Sequence, residues 1–152
     1  MISEHDLIEY ATKELKLLGF RKKNQRWTKT QGDFTLVFFV QGSQWDRETF
    51  YIRPGVWIND CPIKSLDYYG HFDTELQQDS ISQVFHDLEE YYRKWTDKAE
   101  IKKNVIAFID WDARNPLEKR RAGLVDYDTD PVPDRLLFAV SESVIEYVLD
   151  NF

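Results

Sequence analysis

Apolar residues recur every three to four positions at the start of the chain: Leu7, Ile8, Ala11, Leu15 and Leu18. That spacing puts them on one stripe of an amphipathic helix over residues 3–18. Ser3 followed by Asp6 resembles a short capping box, and Gly19 stands where a left-handed C-cap belongs. From Phe20 the period shortens to two. "RWTKT" and "FTLVFFV" read as strands joined across "QGD" in a hairpin. "QGSQWDRE" interrupts the alternation and "TFYIRPGVWI" resumes it. Phe50, Ile52, Val56 and Ile58 then share one face, with Tyr51, Arg53 and Trp57 on the other. Pro54-Gly55 predicts a kink or bulge, which favours a sheet edge or a deliberate bend.

Residues 60–79 carry little periodicity. Ser80 and Gln83 make a second capping box, and the helix it opens has a broad stripe of Ile81, Val84, Phe85, Leu88, Tyr91, Tyr92 and Trp95. A third helix covers "IKKNVIAFIDW". "ARNPLEKRRAG" reads as a turn and a short helical segment ended by Gly123. After the loop "DYDTDPVPD", Asp134 caps a last helix through "RLLFAVSESVIEYVLDNF". No internal repeat or interdomain linker interrupts the series. The fold class that follows is α+β, one domain over residues 1–152: an N-terminal helix, an antiparallel sheet of three to four strands, then C-terminal helices packing on the sheet.

Composition supports a well-filled core. Ten Phe, eight Tyr and five Trp in 152 residues supply more aromatic area than a minimal core requires. The net charge of -7 is uneven along the chain. Residues 1–58 hold nine Lys/Arg against seven Asp/Glu, residues 59–100 four against ten, and residues 101–152 seven against ten. Phosphate binding draws its affinity from clustered Lys/Arg, so this balance disfavours nucleic acid and anionic lipid and fits a basic protein partner. The lone Cys61 cannot form an intrachain disulfide and matches a reducing compartment. The first residues lack a basic segment followed by an apolar one. The longest apolar run, Phe34–Val40, falls far short of the ~20 residues needed to span a bilayer. A cytoplasmic protein without a membrane partner is expected.

"LLGFRKKNQRW" concentrates Arg21, Lys22, Lys23 and Arg26 without an acid. No second basic block adjoins it in sequence, so the solvated start of a strand near a helix C-terminus explains it better than a phosphate-binding patch. "LKLLGFRKKNQRWTK" followed by "FTLVFFVQGSQWDRETFYIRPGVWI" resembles the family called domain of unknown function 4304. The positions that carry the resemblance are Gly19, Phe20, Lys22, Lys23, Trp27, Phe38, Gln41, Phe50 and Gly55, and they span about the first sixty residues. The family supplies no catalytic residue to carry over. Small acidic proteins of similar class often act as immunity partners of bacterial toxins, which sets an expectation by analogy.

The motifs of known chemistry are broken or missing. Asp126, Asp128 and Asp130 alternate as in a calcium loop, but Pro131 occupies the glycine position and Leu137 the position of the closing Glu. Asp110 and Asp112 lie two apart on a helix and diverge. His86 lies near Glu89 and Glu90, with no second His one turn on. No nucleophile elbow and no glycine-rich phosphate loop occurs. The expectation is therefore no catalytic residue, no metal and no cofactor.

Two readings of different class remain. The first is a non-catalytic protein-interaction module, an immunity- or inhibitor-type partner of a basic bacterial effector. In it Trp45, isolated in the polar "QWDRE", anchors the contact. Asp73, Glu75, Asp79 and Asp87 steer the partner, with Asp126, Asp128 and Asp130 as a second patch. The alternative is a small-ligand site or an unrecognised enzyme, its pocket lying between the strands and the following helix and lined by Tyr51, Trp57, Tyr68 and His71.

Overall fold

A computed structural model describes residues 2–62, 70–133 and 142–152. Helix α1 spans Glu4–Leu17, and the Ser3 hydroxyl accepts the Asp6 backbone N–H at 3.1 Å, satisfying a donor the first turn leaves over. Leu7, Ala11 and Leu15 form its buried stripe. At its end Gly19 takes φ +92°, and the Phe20 N–H reaches back to the Leu15 carbonyl at 2.9 Å. This left-handed closure favours a residue without Cβ, as the sequence predicts.

Five strands follow: β1 (Arg21–Lys23), β2 (Arg26–Gln31), β3 (Phe34–Gly42), β4 (Phe50–Ile58) and β5 (Phe72–Asp73). They pair antiparallel in sequence order. The sequence reveals three or four of them, because β1 and β5 are too short to show a period. Asn24 and Gly32 take positive φ at the first position of the two tight turns flanking β2, which primed hairpin turns require. Three residues of the basic cluster, Arg21, Lys22 and Lys23, form β1, an edge strand exposed at every residue, and the fourth, Arg26, opens β2. Lysines there discourage pairing with another chain's edge. The Lys22 ammonium also sits 5.4 Å from the centre of the Trp27 ring.

β4 is an inner strand that keeps its register through Pro54, not the edge or kink its Pro-Gly pair predicts. The Pro54 carbonyl accepts the Thr74 N–H at 3.2 Å. Its N–H-less side therefore faces the short β5, where little ladder is lost.

Phe34, Leu36, Phe38 and Val40 of β3, with Ile52, Val56 and Ile58 of β4, point to the helices. Helix α2 (Ile81–Trp95) buries Val84, Leu88, Tyr91 and Trp95 against them. Helices α3 (Lys98–Arg114), α4 (Leu117–Arg121) and α5 (Glu142–Asn151) complete the chain. Ring contacts fix the layers: Phe85 meets Tyr10 of α1 at 4.9 Å and Phe38 of β3 at 5.9 Å, while Phe72 stacks on Trp95 at 5.1 Å. Lys98 at the start of α3 pairs with Asp33 of the β2–β3 turn at 2.8 Å. The architecture is α+β, with the helices on one side of an antiparallel sheet. The start of the last helix expected at Asp134 lies outside the described residues.

Candidate functional site

The β3–β4 connection is built to hold an indole in water. Gly42 pairs with Phe50 at its base, and the Ser43 N–H donates to the Thr49 carbonyl at 2.9 Å. Inside the loop, Asp46 accepts the backbone N–H groups of Glu48 and Thr49 at 2.9 and 2.6 Å, and the Ser43 hydroxyl accepts that of Trp45 at 3.1 Å. The hydrogen bonds from Thr49 and Glu48 hold the Asp46 carboxyl below its ordinary value. Trp45 is 84% exposed on this ordered loop.

The segment after β5 returns to the same end of the sheet. The Leu76 N–H donates to the Ile52 carbonyl at 2.8 Å, two residues from the base of the hairpin. Ser80 then caps α2 by accepting the Gln83 N–H at 3.1 Å. Glu75, Asp79 and Asp87 consequently line one open depression of about 420 Å³ with Gln77 and Gln83, and no Lys or Arg joins them. Gln83 donates to Asp87 at 2.7 Å. Four residues singled out from the sequence, Trp45 and these three acids, thus share one end of the molecule.

Asp73 does not join them. It is only 2% exposed, pairing with Arg53 at 3.2 Å on the sheet face turned away from α1 and α2. Burial raises its pKa and the Arg53 charge opposes the rise. It is a buried ion-pair partner, not a steering acid. The sequence gives no sign of this, because Arg53 lies twenty residues away and meets it only through the β4–β5 register.

The second acidic group is mostly engaged in local structure. Asp126 accepts the N–H groups of Asp128 and Thr129 at 3.1 and 3.4 Å. Asp130 takes two hydrogen bonds from Arg114, at 3.2 and 2.9 Å, and one from Asn115 at 2.8 Å, which hold its carboxyl below the ordinary value. Its backbone carbonyl accepts the Trp111 indole N–H at 2.9 Å. Asp130 alone staples the loop to α3, while Asp126 closes a turn within it; Asp126 and Asp128 are both exposed and Asp130 is half-buried.

The residues of the alternative pocket fall elsewhere than between sheet and helix. Tyr51 and Trp57 lie on the far face of β4, opposite in alternation to Phe50, Ile52, Val56 and Ile58. His71 is 1% exposed, and its Nδ1 accepts the Ile58 N–H at 2.9 Å, which assigns the proton of the neutral ring to Nε2. Its ring centre stands 6.4 Å from that of Trp57. Tyr68 lies outside the described residues.

His86, Asp87 and Glu90 bring potential metal donors within 4.8 Å of one another on exposed α2. The two imidazole nitrogens address different carboxylates, Nδ1 to Asp87 at 3.5 Å and Nε2 to Glu90 at 3.7 Å, and Asp87 already holds Gln83. A zinc ion needs its donors about 2.0–2.2 Å from a common point. This arrangement is a solvated charge cluster on a helix.

The fold and its acidic end define a small α+β domain with a helix-backed antiparallel sheet and a presented tryptophan. The family model described as "Domain of unknown function (DUF4304)" matches residues 11–152, and the chain belongs to that family. The match extends well beyond the first sixty residues that carry the resemblance in sequence. No curated protein and no solved structure matches the chain. No helix among the described residues is long and apolar enough to cross a membrane.

Proposed function

We propose that the protein is a non-catalytic interaction module that docks a basic partner through its hairpin end, in the manner of an inhibitor or immunity protein. The observation that carries this reading is Trp45, held in solvent by an internally hydrogen-bonded loop at the end of the sheet where Glu75, Asp79 and Asp87 gather. Tryptophan is enriched at the energetic centres of interfaces, and like-signed acids around it accelerate encounter with a basic surface. An exposed indole on a floppy loop would lose much of its gain to ordering, and this loop is ordered in advance. A bacterial, cytoplasmic setting belongs to the same proposal, in keeping with the buried Cys61 thiol.

The test compares the tagged protein with its E75K/D79K/D87K and W45A variants in pull-downs from the native cell, eluted by a salt gradient. A basic protein retained by the wild type, released by salt and lost from both variants is the expected result, together with inhibition of that protein's activity. Equal retention by wild type and charge-reversed protein, or an association rate indifferent to salt, overturns the proposal.

A further inference from the structure

At the end of the molecule opposite Trp45, a groove of about 600 Å³ opens between the last turn of α1, strands β2 and β3, and the second half of α2. That volume falls in the range of small-molecule sites, about 300–1,000 Å³. Its walls are Leu15, Leu18, Phe20, Leu36, Phe85 and Leu88. The buried stripe of α1 ends at Leu15, yet its C-cap Leu18 continues that stripe to the groove and is 59% exposed there.

Two cations border this apolar surface. Lys29 of β2 is half-buried, with its ammonium 5.9 Å from the centre of the Phe20 ring. Arg93 projects from α2. Among the described residues neither forms an ion pair. Glu89, one helical turn before Arg93, is the acid at the rim. The local balance is thus cationic in a chain of net charge -7. A cation drawn partly out of water beside apolar walls gains from an anion that replaces the lost hydration. Two cations are too few for a nucleic-acid track, and the walls offer nothing to a small hydrated ion.

We propose that the groove binds an amphiphilic monocarboxylate, its apolar chain along the leucine and phenylalanine walls and its carboxylate between Lys29 and Arg93. The site is separate from the hairpin end, so it stands or falls independently of the docking reading.

The probe is dodecanoate below its micellar concentration, titrated into the full chain and followed by calorimetry and by methyl NMR. Saturable one-to-one binding with shifts at the methyls of Leu15, Leu18, Leu36 and Leu88 is expected. Lys29→Gln and Arg93→Gln, at positions outside the core, are each expected to weaken it about tenfold, the loss of one charge-assisted contact. Dodecyltrimethylammonium, with the same chain and the opposite charge, is expected not to bind there. No saturable shift at these methyls, equal binding of the cationic amphiphile, or unchanged affinity in both variants overturns the proposal.

Discussion

Burial leaves Asp73 dependent on a single guanidinium. Its Oδ2 faces Arg53 at 3.2 Å, while its Oδ1 has no hydrogen-bond partner among the described residues. Desolvation lifts the carboxyl above its ordinary value of 3.8, and the Arg53 charge holds that rise in check. A carboxyl raised in the folded state contributes stability that is full below the unfolded value and is lost as pH climbs through the folded one. Arg53→Met removes the opposing charge and enlarges the loss. Stranding one partner of a buried pair costs about 3–5 kcal/mol, and Arg53 keeps enough solvent contact to place this pair at the lower end. Urea unfolding at about pH 8 and about pH 4.5 is the check, with the larger loss expected at the higher pH; equal losses mean the packing of the Arg53 stem matters and its charge does not. A neighbouring constraint is purely steric. A Cβ on Gly55 would stand 2.7 Å from the Gly70 backbone nitrogen, and one on Gly70 would collide with the Val56 backbone. Gly55→Ala is expected to cost at least the about 1–3 kcal/mol of an overpacked core, read as a lower urea midpoint at unchanged slope. The sequence marks Gly55 as special through Pro54-Gly55. It attaches the wrong reason, a bulge, because the backbone that crowds it arrives from fifteen residues away.

Element by element, the sequence is readable where a period runs long enough. The cores of the α1 and α2 stripes are legible, Leu7, Ala11 and Leu15 in one and Val84, Leu88, Tyr91 and Trp95 in the other, although Leu18, expected on the first, is exposed. Both serine caps form as their spacing predicts. What escapes is tertiary: the two-residue β5, the face to which Asp73 turns, and the partners of the 126–130 acids. Those acids look like one patch because Arg114, which claims Asp130, sits on a helix sixteen positions earlier. The staple has a testable consequence in acid. Asp130 titrates below its ordinary value of 3.8, chiefly through hydrogen bonds from Arg114 and Asn115. Its contribution is therefore present above that value and disappears as pH falls through the lower, folded one. Below it the loop is expected to loosen and the Trp111 indole N–H, bonded to the Asp130 carbonyl, to exchange faster with solvent. Asp130→Ala is expected to produce the same fast exchange at neutral pH, while Asp128→Ala leaves it slow. An indole that stays protected in Asp130→Ala means that the ring packing of Trp111 with Phe108 and Tyr127, rather than the ion pair, holds the loop.

Across the whole molecule, the two ends differ in both charge and the way apolar groups meet water. The hairpin end exposes one indole at the end of the sheet where Glu75, Asp79 and Asp87 line a depression, and the far end exposes a leucine beside two cations. Both features sit outside the core, so neither is explained by folding. Trp45 gives the cleaner test, since it contributes little to packing. Trp27, Trp95 and Trp111 are buried and Trp57 is half-buried. Acrylamide should therefore quench mainly Trp45 in the free protein. Trp45→Phe is expected to remove most of the readily quenched emission and to leave the urea midpoint within the about 0.5 kcal/mol typical of surface changes. Bound to its basic partner, the wild type is expected to lose that accessible fraction while Trp45→Phe shows no comparable change. If the accessible fraction persists in the complex, the indole lies outside the interface, and the acids around Glu75, Asp79 and Asp87 would have to hold the partner alone. Exposed charge pairs contribute about 0.2–1 kcal/mol each, too little for tight binding from three carboxylates. Protection of Trp45 on binding therefore decides whether this end of the molecule is an interface or only an acidic surface.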